Sequence, residues 1–159
     1  MSITAVQPKH APKRVTVLGA TGSVGLNTVE LIVAGRDAYH VEALTAYSGV
    51  EALAELARRA RPKLAVIGDP SLYQALQSAL AGTGIEVAAG PQALVEAALR
   101  PVDWTMAAIV GAAGLAPTLA AVGQGATVAI ANKECLVCAG EYVIDLAKRH
   151  GTTLLPVDS

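Results

Sequence analysis

Three glycines in the spacing Gly19-x-x-Gly22-x-x-Gly25 follow directly on the run Val15-Thr16-Val17-Leu18 and lead into an amphipathic stretch. That order of residue types builds a buried parallel strand, a tight loop and a helix start. Glycine there lets the backbone turn sharply, approach a ligand closely and pack helix against sheet. The loop N–H groups and the helix N-terminus favour an anion such as a pyrophosphate, so the stretch reads as a dinucleotide site. The end of the second strand selects between dinucleotides. An NAD site places an acid there for the ribose 2′-hydroxyl, whereas this chain has Ala46-Tyr47-Ser48-Gly49, with Glu42 inside the strand and Asp37 before it. Absence of the acid permits NADP, although no Arg or Lys sits at the turn. Ser48 and the N–H of Gly49 could donate hydrogen bonds instead, and an ordinary polar turn is the plainer alternative.

A second polar group, Asn132-Lys133-Glu134, stands where a later strand gives way to a helix and so emerges over the same sheet edge. Lys133 suits an anionic substrate as a point charge, and Asn132 suits a nicotinamide ribose or amide. A helix cap followed by solvated first-turn residues fits the same spacing equally well. Cys135 and Cys138 form Cys-x-x-Cys, but no second pair accompanies them, and His10, His40 and His150 have no finger-like spacing. Both cysteines read as small packing residues, His150 as a favourable charge at a helix end, and Trp104 and Met106 as core.

These residues need a scaffold, and the chain supplies one in strict alternation. Helix Ser23–Ala34 stops at Gly35. A strand at 41–46 precedes a helix at 51–60, in which Glu55 and Arg59 are spaced for an i,i+4 pair and Pro62 closes the end. Strand 64–67 leads to a helix capped by Asp69 or Ser71 and running to about Ala81. Strand 85–88, helix 92–99, strand 104–110, helix 115–122, strand 127–131, helix 134–149 and strand 152–157 complete the order. Repeated βα units of this kind predict an α/β fold: a Rossmann-like, doubly wound parallel sheet of about seven strands with helices on both faces. Residues 1–13 read as a loose, flexible tail and 14–159 as one dinucleotide-binding domain.

Composition narrows the partners. With 159 residues, 53% hydrophobic and 16% charged, the chain can bury a core, and a net charge of −1 with 3% aromatics gives no footprint for nucleic acid. Residues 104–132 carry no charge, which is long enough for a membrane span. The segment instead reads as strand, helix and strand, because Pro117, Gly111, Gly114, Gly123 and Gly125 break it. Two cysteines and no apolar leader after Met1 point to a cytoplasmic setting. The last strand stops at the carboxyl edge, where open sheets place ligands, so the chain reads as cut at a functional edge.

The motifs Gly19-Ala20-Thr21-Gly22-Ser23-Val24-Gly25, 107–115 (Ala-Ala-Ile-Val-Gly-Ala-Ala-Gly-Leu), Ala131-Asn132-Lys133-Glu134 and Leu154-Leu155-Pro156-Val157-Asp158-Ser159 together resemble the 1-deoxy-D-xylulose 5-phosphate reductoisomerases of the non-mevalonate isoprenoid pathway. The resemblance spans residues 15–159. It implies an NADPH-binding portion in which Thr21, Gly22, Ser23, Val24, Asn132 and Glu134 contact the cofactor. The 2′-phosphate turn falls at Tyr47, Ser48 and Gly49, where many relatives carry a basic residue and an Asn and this chain departs. By the same resemblance Lys133 and Ser159 bind a sugar-phosphate substrate, and Asp158 is a ligand of a divalent metal, Mg²⁺ or Mn²⁺. The whole enzyme is then a homodimer, and the catalytic and metal-binding domain lies beyond this chain. A lone Asp is a weak site for a hard cation, which leaves the fragment without turnover. Two other readings stay open: a non-catalytic nucleotide-sensing or interaction module, and an aspartate-semialdehyde-type dehydrogenase that shares the glycine loop.

Overall fold

A computed structural model of the chain describes residues 10–157. Seven strands form one parallel sheet: β1 (Lys13–Leu18), β2 (Tyr39–Ala46), β3 (Leu64–Ile67), β4 (Glu86–Ala89), β5 (Trp104–Ala107), β6 (Thr127–Ile130) and β7 (Thr153–Pro156). Their spatial order is β4-β3-β2-β1-β5-β6-β7, so the winding reverses between β1 and β5. Ligands of open α/β sheets bind at such a switch point, beyond the carboxyl ends of the strands. The glycine loop leaves β1 at that edge.

The helices are α1 (Ser23–Ala34), α2 (Val50–Ala60), α3 (Tyr73–Ala79), α4 (Pro91–Leu99), α5 (Leu115–Val122) and α6 (Lys133–His150). Strand residues alternate between two apolar layers. Val15, Val17, Leu44 and Ile67 pack with Val29 and Ile32 of α1, Leu53 and Leu56 of α2, and Leu76 of α3. On the other face Leu18, Val66, Val128 and Ile130 pack with Leu94 of α4, Val122 of α5 and Val143 of α6. Each such Val, Leu or Ile, once fully buried, contributes roughly 1.5–3 kcal/mol relative to exposure. The uncharged segment that opens at Trp104 is thereby divided into β5, α5 and β6, and among the described residues no helix is long and apolar enough to cross a membrane.

Several local expectations change in the folded chain. β5 ends at Ala107 rather than at residue 110, because Ile109 and Val110 leave the ladder to line the edge groove. Asp69 caps a short 3-10 turn at Pro70–Leu72, accepting from the Ser71 N–H at 2.9 Å, and α3 starts only after it. Arg59 does not take Glu55 as its hydrogen-bonded partner. Its guanidinium grips Glu30 on α1 with two bonds of 2.6 and 2.7 Å, which holds the Glu30 carboxyl below its ordinary pKa. A planar fork meeting a carboxylate across two helices satisfies both nitrogens, which an i,i+4 contact on one helix does not. Glu42 is buried and accepts from Arg100 at 3.0 Å, which makes it an internal ion-pair partner and not a ribose ligand. Met106 is buried core, while Trp104 is half-buried, edge-on to Tyr39 at 6.2 Å.

The two cysteines separate. Cys135 is buried and Cys138 is exposed, so the packing reading holds for the first and fails for the second. Cys135 packs towards α5, where Thr118 reaches its thiol, whereas Cys138 lies on the exposed side of α6 just before the non-helical Ala139, φ −137°. Burial pushes the Cys135 thiol up in pKa, with a Thr118 hydrogen bond opposing. Iodoacetamide is therefore expected to place one adduct on the native chain, at Cys138, and a second only in denaturant. Equal native labelling of both sites by peptide mass spectrometry would contradict that separation.

Candidate functional site

The glycines divide the work of the loop among themselves. Gly19 adopts φ +80°, and a Cβ on it would lie 2.6 Å from the Ala108 carbonyl oxygen. A Cβ on Gly25 would lie 1.9 Å from the Gly19 carbonyl oxygen, so this third glycine seats α1 against the loop. Gly22 differs from both. It is the N-cap of α1 at φ −76°, no side chain caps the helix, and a Cβ there would meet nothing nearer than the Gly19 carbonyl oxygen at 3.8 Å. The N-terminal N–H groups of α1 thus face open space above Gly22, which is the cradle a pyrophosphate needs.

Thr45, a buried β2 residue, fixes the loop from the side. Its hydroxyl accepts from the Gly19 N–H at 3.0 Å and its carbonyl from the Ala20 N–H at 2.7 Å. Nothing in the sequence pattern marks Thr45, because the partners are 26 residues apart and meet only through the β1–β2 pairing.

Two adjoining cavities of about 450 and 280 Å³ run along the carboxyl edge, sharing Gly22, Ala108, Ile109 and Val110 in their walls. The larger brings together Thr21, Gly22 and Tyr47 with Thr45 and Leu94. The smaller brings together Gly22, Ser23 and Val24 with Asn132, Lys133 and Glu134. Ser48 and Gly49 follow Tyr47 as exposed residues outside both linings. Leu94 comes from α4, and the sequence pattern assigned it no role.

Asn132 is 6% exposed and uses its whole amide. Its Oδ1 accepts from the N–H groups of Glu134 and Cys135, and its Nδ2 donates to the carbonyls of Ile109 and Gly111 at 2.7 and 3.0 Å. It is both the cap of α6 and the brace of the loop after β5. Gly114 makes the approach possible, since a Cβ there would lie 2.6 Å from Asn132 Nδ2. The start of α6 is therefore already capped while that of α1 is open, which places the anion-binding capacity of the groove at α1.

Among the described residues no three His, Cys, Asp or Glu side chains are grouped to hold a metal ion. Asp158 and Ser159, the metal and substrate residues implied by resemblance, lie outside the described residues, as do residues 1–9 of the expected tail. Lys13, assigned to that tail, opens β1.

Residues 15–140 match the family model described as 1-deoxy-D-xylulose 5-phosphate reductoisomerase. The reductoisomerase of Rhodospirillum centenum is 60% identical over 162 residues, covering 99% of this chain and 40% of its own length. The Zymomonas mobilis enzyme, solved in complex with NADPH, is 60% identical with a TM-score of 0.92, covering 93% of this chain and 39% of that one. A further reductoisomerase structure, with NADPH, fosmidomycin and magnesium, is 42% identical with a TM-score of 0.85, covering 91% of this chain and 36% of that one. The chain thus spans about 40% of the length of the curated relatives it matches. With the glycine cradle, the switch-point groove and these matches pointing the same way, the chain belongs to the 1-deoxy-D-xylulose 5-phosphate reductoisomerase family.

Proposed function

We propose that this chain is the NADPH-binding part of an enzyme that converts 1-deoxy-D-xylulose 5-phosphate to 2-C-methyl-D-erythritol 4-phosphate by rearrangement and reduction. The observation that carries the reading is the groove at the β1–β5 switch point, floored by an open Gly22 at an uncapped helix N-terminus. Thr21, Gly22, Ser23 and Val24 hold the pyrophosphate, Tyr47, Ser48 and Gly49 flank the adenosine ribose, and Asn132 and Glu134 frame the nicotinamide end. In this reading Asn132 acts by bracing the wall rather than by lending its amide, which is already engaged. Lys133, lining the smaller cavity, supplies positive charge for the sugar phosphate. NADPH, when bound, supplies the hydride that reduces the rearranged substrate.

Asp158 and Ser159 are the metal and substrate residues of this proposal, and a divalent metal, Mg²⁺ or Mn²⁺, belongs to the whole enzyme. One carboxylate does not make a hard-cation site, and the described residues add no donor cluster. The 159-residue chain by itself therefore binds NADPH and does not turn over. In this reading the whole enzyme is a cytoplasmic homodimer, and the two free cysteines agree with a reducing compartment.

Calorimetric titration of the chain with NADPH, followed by an assay of NADPH oxidation with the ketose phosphate and magnesium, tests both halves. Saturable binding without oxidation is expected. Absence of binding would overturn the cofactor reading, and oxidation by a homogeneous preparation would overturn the assignment of the chemistry to residues beyond this chain.

A further inference from the structure

The larger cavity reaches Tyr47, the first residue past β2, where a doubly wound sheet holds the adenosine ribose of a dinucleotide. Its lining includes no Lys, Arg or His. The basic residues of α2 are all at the far end of that helix. Arg58 donates to the Ala79 carbonyl at 2.8 Å, Arg59 is held by Glu30, and Arg61 ends the helix at φ +54°. Two carboxylates stand near the turn. Glu51 stands in the first turn of α2, and Asp69 donates its N–H to the Tyr47 carbonyl at 2.9 Å while its carboxylate accepts from Ser71.

A 2′-phosphate at this turn would accordingly meet the Ser48 hydroxyl and the backbone at the start of α2 beside two carboxylates, and among the described residues that line the larger cavity there is no guanidinium or ammonium to offset them. Hydrogen bonds from neutral donors are roughly half as strong as charge-assisted ones. The contacts that do not depend on the 2′ substituent are much better provided. Gly22 and the open end of α1 serve the pyrophosphate, and the Tyr47 ring, 65% exposed and laid over Gly68, joins Leu94 in offering apolar walls to the adenine.

Resting on the dinucleotide reading proposed above, we infer that this chain binds NADH nearly as well as NADPH, and that Ser48 is the position at which the preference is set. Ser48 is an exposed, short, uncharged side chain directly after Tyr47, which lines the larger cavity, and a 2′-phosphate carries up to two negative charges.

Calorimetric titration of the 159-residue chain with NADPH and with NADH tests the inference. The expected ratio of the two dissociation constants is below about ten. Ser48→Arg is expected to tighten NADPH by about ten-fold while leaving NADH within about two-fold. A native ratio of about ten or more overturns the inference, as does a Ser48→Arg variant that moves both cofactors equally or neither. If neither dinucleotide binds the native chain, the dinucleotide reading fails and carries the inference with it. That outcome is distinct from the others, in which NADPH still binds.

Discussion

Gly25→Ala is expected to lower stability by about 3 kcal/mol or more, whereas Gly22→Ala, three residues earlier in the same motif, is expected to leave the fold intact and weaken cofactor binding. The difference follows from what each new methyl would meet. At Gly25 it overlaps backbone atoms, the Gly19 carbonyl oxygen at 1.9 Å and the Ala20 Cα at 2.8 Å, and neither can rotate away as a side chain would. Relief requires α1 to lift off the loop, which also separates Val29 and Ile32 from the sheet. For a domain of this size that loss corresponds to a fall in Tm of about 6–12 °C. At Gly22 the backbone, φ −76° and ψ 170°, is one that alanine adopts freely, and the new methyl would make only an ordinary contact, with the Gly19 carbonyl oxygen at 3.8 Å. Stability there is expected to hold or to rise by about 0.4–1 kcal/mol, since alanine restricts the unfolded chain. NADPH affinity is expected to fall by about ten-fold or more, because the methyl stands in the space the pyrophosphate must approach. Thermal unfolding and calorimetric titration of the two variants separate the effects. A Gly22→Ala variant as unstable as Gly25→Ala would show that the open cradle is not a binding surface.

Asn132→Ala is expected to destabilise the chain by about 2–4 kcal/mol, the sum of a lost helix cap and of buried carbonyls left unpaired. Four bonds depend on this one amide, two to N–H groups of α6 and two to carbonyls of the loop after β5. The loop and the helix form the wall of the smaller cavity, so NADPH affinity should fall with stability rather than independently of it. Asn132→Asp sharpens the test. The introduced carboxylate can still cap α6, but it turns a donor into an acceptor facing the Ile109 and Gly111 carbonyls. Loss of stability in Asn132→Asp with the α6 cap kept would assign the larger share of the effect to the loop brace. Unfolding midpoints in urea for both variants supply the comparison, and a variant as stable as the native chain would remove Asn132 from this structural role.

Much of the molecule was legible before folding because the relevant signals are local. The β-branched runs, the helix periods between them and the Gly19-x-x-Gly22-x-x-Gly25 spacing act within a few residues, and they predicted seven strands, the exact helix Ser23–Ala34 and the strand at 64–67. The same locality explains the errors. Arg59 read against its own helix finds Glu55, but the fold brings it Glu30 from α1 with a better geometry. Cys138 read beside Cys135 shares its helix, but only Cys135 is covered, by packing that brings Thr118 of α5 to its thiol.

The sequence by itself determined the fold class, the position of the glycine loop and, through its motifs, the family. The tertiary structure alone decided which glycine leaves open space above the helix start, that Thr45 and Asn132 hold the walls, and that Arg58 and Arg59 of α2 are engaged by the Ala79 carbonyl and by Glu30. The physical reason is range. Backbone propensity and apolar period are properties of a few consecutive residues, while a site is made of atoms 20 or more residues apart that meet only when the sheet fixes their register.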